Sequence, residues 1–355
     1  MEKILVINPG STSTKLAVFN DKEEVFEKTI RHSADKIKQY KRIVDQLDFR
    51  EELILDELKK NDFSIEEFSA IGARGGLIHP LESGTYRVNK KMIEDLSNAK
   101  YGEHASNLGA IIAFNISKRI NKPAFIVDPV IVDEMDPLAK ISGLKGIERM
   151  PRWHALNQKA VARRVAKDLG KNYDETNLIV VHLGGGISVA AHHKGKAVDV
   201  NNALNGDGPF SPERAGGLPT ISLVNLCYSG KYTYKEMRKK LAGKGGLVSH
   251  LGTNSAVEVE KRIAQGDEYA NLIYQAMAYQ IAKTIGEMST VLKGNVDAIV
   301  ITGGIAHSKM LTEWIKERVS FIAPVKIYPG EDELKAIALG VLRVLKGEEK
   351  AKLYE

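Results

Sequence analysis

Hydroxyl, amide and lysine side chains gather in a short turn near the N-terminus, between two apolar stretches of the chain. Residues 4–7 predict a buried strand, residues 8–10 (Asn-Pro-Gly) a tight turn, and residues 16–19 a return strand. The turn continues with Ser11, Thr12, Ser13 and Lys15. Backbone N–H groups, hydroxyls and a lysine at the tip of a hairpin suit an anion, although an ordinary hairpin with a polar tip gives the same pattern.

A second stretch of the chain repeats this pattern. Residues 177–183 predict a strand, a run of three glycines at 184–186 predicts a tight turn, and residues 187–191 predict a return strand. Both predicted hairpins are followed by a third stretch with strand character, at 25–30 and at 196–200. Glycine lets the backbone approach a phosphate closely. The repeat therefore predicts a duplicated α/β domain with a nucleotide between its halves.

Two arginines stand in similar local settings, one in each half of the chain. Arg74 follows a short predicted strand at 70–73 and precedes two glycines, and Arg214 precedes Ala-Gly-Gly in a long loop at 201–219. A guanidinium group with small neighbours suits a carboxylate or phosphate, and long loops in compact domains are usually functional. The two arginines could close on one substrate, while a surface-loop arginine is an equally good interpretation of Arg74.

An aspartate and two histidines lie where predicted strands and helices end or begin. Asp128 follows the predicted strand 124–127, and catalytic groups of open α/β sheets sit at such ends, although a structural turn aspartate fits as well. His154 precedes a predicted helix at 155–169, where an anion would be stabilised, or where the histidine is merely a neighbour of the cap. His104 stands at the start of a predicted helix at 103–121.

The C-terminal part of the chain offers a further strand, glycine turn and helix. Residues 296–301 predict a strand, two glycines follow at 303–304, and a helix is expected to start at Lys309, which suits the sugar and base or the phosphates of a nucleotide. An acidic run then opens the last predicted helix, 334–346. Carboxylates at a helix N-terminus are favourable without any function, and could also approach Mg²⁺ indirectly.

The remaining apolar periodicity predicts helices and a domain boundary. One helix is expected over residues 36–60, with Ile43, Leu47, Ile54 and Leu58 on its apolar face. The other predicted elements are helices at 89–100, 233–242, 255–265 and 267–292 and a strand at 325–328. The apolar helix 267–292 could be core or a subunit interface. A polar, glycine-containing stretch at 170–176 predicts the domain boundary.

Composition excludes several classes of protein. The chain has 355 residues, of which 43% are hydrophobic and 27% charged, proportions that indicate a globular protein with room for two domains. No apolar run reaches the roughly 20 residues that span a bilayer, and no signal peptide is recognised. One cysteine, Cys227, excludes an intrachain disulfide and a zinc cluster, so a cytoplasmic protein is expected. The net charge of +6 fits anionic substrates better than nucleic acid, because no aromatic platform or lysine-rich tail accompanies it.

Taken together, these motifs resemble the acetate kinase family of short-chain carboxylate kinases, within the actin, sugar-kinase and Hsp70 superfamily, and more narrowly the butyrate kinases. The motifs that carry the resemblance are VINPGSTSTK at 6–15, ARGG at 73–76, HLGGG at 182–186, ERAGG at 213–217, ITGGIAHS at 301–308 and PGEDEL at 329–334. The resemblance implies two duplicated ribonuclease-H-like α/β domains with a nucleotide cleft between them. The expected domains are 1–172 together with 331–355, and 173–330.

The resemblance also implies roles for individual residues. It implies that nucleotide phosphates and adenosine are bound by Asn8, Ser11, Ser13, Lys15, His182, Gly184, Gly185, Gly186, Gly303, Gly304, Ile305 and His307. It implies an active site made of Arg74, His104, Asp128, His154 and Arg214. It implies Mg²⁺, held through water or directly, near Asp128, Glu331 and Glu333, although the alignment does not settle which residue of the run 331–333 is linked to the metal. ATP or ADP, a carboxylate and a homodimer or larger homo-oligomer are the implied partners.

The expected reaction is ATP-dependent phosphorylation of a short-chain fatty acid to its acyl phosphate, running physiologically toward ATP. Acetate kinases carry Asn where this chain has Gly185, and Thr-Arg-Ser-Gly where it has Glu-Arg-Ala-Gly at 213–216. These departures and the shorter chain favour butyrate over acetate. Isobutyrate, acetate and propionate remain alternatives, as do a sugar kinase with Asp128 as base and a non-catalytic actin-like ATPase.

Overall fold

The computed structural model describes all 355 residues, which form two compact units. The first unit combines Met1–Val132 with Asp332–Glu355, and the second is Asp133–Glu331. The chain therefore leaves the first unit about 40 residues before the predicted boundary at 172/173, while its return lies one residue from the predicted one. The early departure has a physical cause, because the helix Ala155–Asp168 packs its apolar side chains on strands of the second unit.

Twelve strands and thirteen α-helices make up the two units. The strands are β1 (Lys3–Pro9), β2 (Ser13–Asn20), β3 (Glu23–Arg31), β4 (Ala70–Arg74), β5 (Thr85–Arg87), β6 (Ala124–Val127), β7 (Asn177–Leu183), β8 (Ile187–His193), β9 (Lys196–Val200), β10 (Ala298–Gly303), β11 (Val325–Pro329) and β12 (Lys352–Leu353). The helices are α1 (Ala34–Ile37), α2 (Leu47–Lys60), α3 (Lys90–Ser97), α4 (Asn107–Ile120), α5 (Pro137–Lys140), α6 (Ala155–Asp168), α7 (Thr220–Cys227), α8 (Tyr234–Leu241), α9 (Gly246–Leu251), α10 (Ala256–Ala264), α11 (Glu268–Val291), α12 (Lys309–Val319) and α13 (Glu333–Leu345).

The sheet of the first unit has seven strands in the order β12-β5-β6-β4-β1-β2-β3. Strands β1, β2 and β3 are antiparallel neighbours, whereas β1, β4 and β6 run parallel. Parallel strands end at one edge of a sheet, so the residues that follow β1, β4 and β6 are brought together there.

The sheet of the second unit has five strands in the order β11-β10-β7-β8-β9. Strands β7, β8 and β9 are antiparallel neighbours, and β7, β10 and β11 run parallel. The order β3-β2-β1-β4-β6 of the first sheet is thus repeated as β9-β8-β7-β10-β11, with the same strand directions. The structure confirms the predicted α/β class with two duplicated mixed sheets.

Helix α13 approaches the first sheet very closely, and glycines make this approach possible. A Cβ atom at Gly72 of β4 would lie 2.7 Å from Cγ2 of Ile337, and one at Gly340 would lie 2.6 Å from Cγ1 of Val127. Such distances are far shorter than ordinary van der Waals contact. The glycines therefore set how near α13 lies to β4 and β6, and with it the position of Glu333 in the first turn of the helix.

The core of the second unit lies on both faces of its sheet. Helix α11 buries Ile273, Met277, Ile281 and Ile285, the residues that the sequence places on one face, so this face is core rather than a subunit interface. In a second apolar cluster on the same sheet, side chains of α6 pack against β7 and β10. No helix of the chain is both long enough and apolar enough to cross a bilayer.

Several elements differ from the sequence predictions. The helix predicted over 36–60 is interrupted between α1 and α2, where the polar stretch 38–42 offers few apolar side chains for burial. Helices α7 and α9 were not predicted. The sequence of α7 lacks the alternation of polar and apolar residues that marks an amphipathic helix, and none of its side chains is buried.

Arg50 of α2 is fully buried and holds the turn between β1 and β2 from behind. Its Nη1 atom donates to the carbonyls of Gly10 at 2.8 Å and Ser13 at 3.1 Å, and its Nη2 atom donates to that of Ser11 at 3.2 Å. The side chain also donates to Oε1 of Gln46 at 2.9 and 3.0 Å. Burial lowers the pKa of Arg50 to about 10, which leaves it charged at neutral pH. Carbonyl groups of the turn are thereby fixed toward the protein interior.

Replacing Arg50 with Met should destabilise the protein by about 3–5 kcal/mol, because the three turn carbonyls and Gln46 lose their buried donor. The free energy of unfolding in urea is the measurement. The matched control is Arg42→Ala, which removes a half-exposed arginine from the segment before α2 and should cost no more than about 1 kcal/mol. Equal effects of the two substitutions would contradict the role assigned to Arg50.

Candidate active site

The turn after β1 is tight and presents polar groups to its exterior. The backbone N–H of Gly10 donates to the carbonyl of Ser13 at 2.8 Å, which closes the turn. Ser11 is exposed, Ser13 is half-buried, and Lys15 is exposed on β2. With the carbonyls engaged by Arg50, hydroxyl groups and a lysine are what the turn offers to an anion. The sequence placed these residues together correctly, and their binding of phosphate stays a prediction.

Asn8, Arg74 and Glu333 meet at the edge where β1 and β4 end. The side-chain amide of Asn8 donates to Oε2 of Glu333 at 2.7 Å, and Nη1 of Arg74 donates to the same oxygen at 2.9 Å. Register explains the meeting, because Ile7 pairs with Ala73 and so places the next residues of both strands side by side. Glu333 thus neutralises Arg74 in this structure, an arrangement that the sequence did not predict.

His104 lies close to Arg74. Desolvation, and then the positive charge of Arg74, lower the pKa of His104, which favours a neutral ring at neutral pH. The Nδ1 atom of this ring lies 2.8 Å from the hydroxyl of Ser106. His104 therefore lies near the arginine at this edge, and its role in an active site stays a prediction.

Asp128 follows β6 at the same edge, and its carboxylate is engaged by a neighbouring turn. Its Oδ1 atom accepts from the hydroxyl of Ser83 at 2.6 Å and from the backbone N–H of Gly84 at 2.8 Å. The residue is buried, and its φ of +39° lies in the left-handed region that few non-glycine residues adopt. These contacts fit the structural interpretation of Asp128, and its predicted catalytic role is untested.

In the second unit, His182 stands at the end of β7 between two oxygen atoms. Its Nδ1 atom lies 2.8 Å from Oδ1 of Asn157, and its Nε2 atom lies 3.0 Å from Oε1 of Glu331. The glycine turn follows directly and is closed by a hydrogen bond of 3.1 Å from the N–H of Gly184 to the carbonyl of Gly186. Glu331, which the family resemblance places near Mg²⁺, lies beside His182, and its link to a metal stays a prediction.

The ring of His154 stacks on that of His182. The two ring centroids are 3.7 Å apart and the planes differ by 10°. Nδ1 of His154 lies 2.9 Å from the hydroxyl oxygen of Ser188, a buried residue of β8. The sequence placed both histidines in the site but gave no sign that they touch.

Arg214 reaches the same glycine turn from the long loop after β9. A Cβ atom at Gly186 would lie 1.5 Å from Nη1 of Arg214, so only glycine leaves room for the guanidinium group. The same Nη1 atom donates to the carbonyl of Ala203 at 2.7 Å. Burial lowers the pKa of Arg214 and the nearby Glu213 opposes this shift, so the group keeps its charge.

Arg214 also lines a cavity of about 270 Å³ in the second unit. Much of the remaining lining is apolar, and includes Ile187, Leu204, Leu218, Leu223 and Leu241. Asp207 also lines the cavity, and its carboxylate is paired with Arg149. An arginine beside apolar side chains suits a ligand that has an anionic head and a hydrocarbon tail.

The loop after β10 packs against the end of β7. Gly303 has a φ of +93°, and a Cβ atom there would lie 2.3 Å from the carbonyl oxygen of Leu183, so glycine is required at this position. Its backbone exchanges hydrogen bonds of 3.2 and 3.0 Å with Gly330. Gly304 and His307 are exposed and Ile305 is half-buried, as befits an adenosine-binding loop, a role that stays a prediction.

The carboxylates predicted to bind Mg²⁺ do not form a metal centre. Glu333 contacts Asn8 and Arg74, Glu331 contacts His182, and Asp128 contacts the turn at Ser83. The chain contains no group of three or more His, Cys, Asp or Glu side chains that could hold a metal ion. The residues present therefore do not fit a metal held by the protein alone.

Sequence reasoning missed the residues behind the site. Arg50 was not singled out from the sequence, although its spacing from Leu47 and Ile54 places it on the apolar stripe of the predicted helix. Asn157 and Gln158 follow His154 by three and four residues, a spacing that puts them on one helix face with it. A polar residue on the face of a helix that packs against the rest of the protein needs a buried hydrogen-bond partner. This signal could have identified Arg50, Asn157 and Gln158.

A family model and several solved structures resemble this chain. The model of the Acetokinase family matches residues 139–324, just over half of the chain. Among solved structures, Porphyromonas gingivalis acetate kinase has a TM-score of 0.79 at 20% identity, covering 97% of this chain and 100% of that one. A propionate kinase from Francisella tularensis subsp. tularensis SCHU S4 has a TM-score of 0.75 at 21% identity, covering 96% and 99%.

Acetate kinase from Entamoeba histolytica has a TM-score of 0.75 at 17% identity, covering 98% of this chain and 99% of that one. At these identities the likeness establishes the fold, which is a two-domain, actin-like α/β fold. The family match covers α6 to α12, and its range includes His154, His182 and Arg214. This chain belongs to the Acetokinase family.

Proposed function

We propose that this protein transfers the γ-phosphoryl group of ATP to the carboxylate of a short-chain fatty acid, with butyrate or isobutyrate preferred over acetate. Family membership supports the carboxylate kinase class. The observation that carries the choice of acceptor is that the candidate carboxylates are engaged by protein groups, Glu333 by Arg74 and Asp128 by the turn at Ser83. A carboxylate acceptor needs no general base, since it is ionised at neutral pH, whereas a sugar hydroxyl does.

In the proposed reaction, a carboxylate oxygen of the acid attacks the γ-phosphorus of ATP. The new P–O bond forms as the bond to the β-phosphate oxygen breaks, which releases ADP. Two anions must meet, so positive charges are needed to offset their repulsion. Arg74 and Arg214 are proposed to orient the carboxylate and to stabilise the equatorial oxygens of the transferring group.

Arg74 can bind a substrate while it keeps its contact with Glu333. A guanidinium group carries five N–H donors, and the contact with Glu333 uses Nη1. Mg²⁺, when bound, supplies charge neutralisation at the β- and γ-phosphates, and waters and phosphate oxygens fit it better than the separated carboxylates of this chain. The placement of the nucleotide, a cytoplasmic location and a homodimer or larger homo-oligomer stay predictions.

The cavity at Arg214 supports a substrate longer than acetate. Each buried methylene contributes about 0.8 kcal/mol, or roughly fourfold in binding. Butyrate has two methylenes more than acetate, so burial of its tail against Leu218, Leu223 and Leu241 would favour it by about tenfold or more. Acetate would leave the apolar lining without a partner.

Wild-type enzyme assayed for acyl hydroxamate with ATP and Mg²⁺ should show its highest kcat/KM with butyrate or isobutyrate among the C2 to C5 acids. Leu223→Phe should fill the cavity and lower kcat/KM for butyrate by about tenfold, with little change for acetate. Ile221→Phe, on the same helix but 72% exposed and outside the cavity, is the control and should leave the profile unchanged.

A maximum at acetate in the wild type would mean that the cavity does not receive the acyl chain. Identical profiles for Leu223→Phe and Ile221→Phe would lead to the same conclusion. If no acid gives hydroxamate, the carboxylate acceptor itself is wrong, and sugars would be tested with Asp128→Asn as the diagnostic variant.

Arg74→Ala and Arg214→Ala should each lower kcat by about 10²–10⁴, the range expected when a group that stabilises transition-state charge is lost. Steady-state kinetics with butyrate and ATP is the measurement. Arg42→Ala serves as a control for loss of a half-exposed arginine. A variant of either candidate with near-normal kcat would remove that arginine from the mechanism.

A further inference from the structure

A chain of buried polar side chains runs through the second unit and ends at His154. The hydroxyl of Tyr173 lies 2.6 Å from Nδ1 of His192, and Nε2 of His192 lies 3.0 Å from Oε1 of Gln158. Nε2 of Gln158 lies 2.8 Å from the hydroxyl oxygen of Ser188, which in turn lies 2.9 Å from Nδ1 of His154. Gln158, Ser188 and His192 are fully buried, so water does not compete for these contacts.

The orientation of the Gln158 amide is fixed by the backbone. Its Nε2 atom also lies 3.0 Å from the carbonyl oxygen of Ser188, which can only accept a hydrogen bond. The opposite orientation would set two oxygens against each other. Oε1 of Gln158 therefore faces His192 and accepts, so Nε2 of His192 carries a hydrogen.

The protonation state of His192 is consistent with this direction of the hydrogen bond. Burial, followed by the positive charges of Lys159 and Arg163, lowers the pKa of His192 well below its usual range, so the ring is neutral. A neutral ring with a hydrogen on Nε2 has an unprotonated Nδ1. That atom accepts from the hydroxyl of Tyr173.

The hydrogen of the Ser188 hydroxyl then has only one acceptor within reach. Its oxygen accepts from Nε2 of Gln158 and, at 3.5 Å, from the backbone N–H of His154. Its own hydrogen is directed to Nδ1 of His154, because any other arrangement leaves a buried donor unpaired at a cost of about 1–3 kcal/mol. Nδ1 of His154 is thus an acceptor, and the hydrogen of the neutral ring lies on Nε2.

The ring of His182 lies stacked on that of His154, which makes a positive charge on both rings at once unfavourable. Two positively charged rings with centroids 3.7 Å apart would repel each other. The neighbouring carboxylate, Glu331, lies beside His182, and both nitrogens of that ring face oxygen atoms.

We propose that Ser188, Gln158 and His192 are positioning residues that hold His154 as the neutral tautomer with its hydrogen on Nε2, so that this N–H donates to the transferring phosphoryl group. The tautomer follows from the hydrogen-bond directions alone, whereas its catalytic use rests on the proposed function. A neutral N–H donor stabilises negative charge on the phosphoryl oxygens without giving up its proton. The hydrogen bonds of the buried side chains, rather than the position of His154 at the start of α6, determine this tautomer.

The test is two-bond ¹H–¹⁵N correlation spectroscopy of the full-length protein labelled with ¹⁵N-histidine, with the His154 signals assigned by their loss in His154→Gln. At neutral pH the wild type should show a protonated Nε2 and an unprotonated Nδ1 for His154. Ser188→Ala should shift the ring toward the Nδ1–H tautomer, and Ser188→Thr, which keeps the hydroxyl, should restore the wild-type pattern. His193, exposed on β8, is the internal control and should not change.

Kinetics of the same variants supply the second readout. Ser188→Ala should lower kcat by about 10–100-fold, the usual effect of losing a partner that orients a functional side chain, with KM for ATP within about twofold of the wild type. Ser188→Thr should recover most of kcat. The spectra need no activity, so absence of carboxylate kinase activity would defeat the proposed function and leave the tautomer testable.

The proposal is overturned if wild-type His154 carries its hydrogen on Nδ1 or on both nitrogens at neutral pH. It is also overturned if Ser188→Ala and Ser188→Thr give the same tautomer and the same kcat. Should Ser188→Ala fail to fold, the wild-type spectrum still decides the tautomer. Tyr173→Phe, which removes the half-buried donor to Nδ1 of His192, should then leave the hydrogen of His192 on Nε2, because Gln158 fixes it; a hydrogen on Nδ1 of His192 in that variant would contradict the assigned directions.

Discussion

The parallel pairing of strands within each sheet is the constraint on which the candidate site depends. In the first sheet, register places Ile7 beside Ala73 and Arg74 beside Val127, so the residues that follow β1, β4 and β6 share one edge. In the second sheet, the pairing of β7 with β10 and of β10 with β11 does the same for the glycine turn and the loop at Gly303. A change of one residue in register would move these side chains to opposite faces.

Each edge is supported by a second layer of polar contacts in the interior. Arg50 donates hydrogen bonds to the carbonyls of the first turn from the protein interior. The series of hydrogen-bonded side chains that begins at Tyr173 and ends at Ser188 orients His154. Buried polar groups must be fully paired to be tolerated, and a fully paired network also fixes the direction of every hydrogen bond. The same interactions therefore contribute to stability and determine which atoms the site can offer as donors.

The sequence predicted the parts of this account that depend on local pattern. Apolar runs bounded by glycine turns gave the two hairpins, and helical spacing gave the buried face of α11 with Ile273 and Met277. It did not predict contacts between residues far apart in the chain, such as Arg74 with Glu333, since pairing across 259 positions leaves no local signal. The division of the compact units at 132/133, which differs from the predicted boundary at 172/173, likewise has no local signal, because the strands on which α6 packs lie elsewhere in the sequence.

In the proposed reaction, a carboxylate oxygen of the acid attacks phosphorus and becomes the oxygen that bridges the acyl group and phosphorus in the product. The most direct measurement is ³¹P NMR of the reaction of ATP and Mg²⁺ with butyrate carrying ¹⁸O in both carboxyl positions. We expect the ³¹P chemical shift of the acyl phosphate to be displaced by a single ¹⁸O in the bridge to phosphorus, and ADP to carry no ¹⁸O. An acyl phosphate whose bridging oxygen is unlabelled, or release of ADP with inorganic phosphate alone, would contradict this reaction.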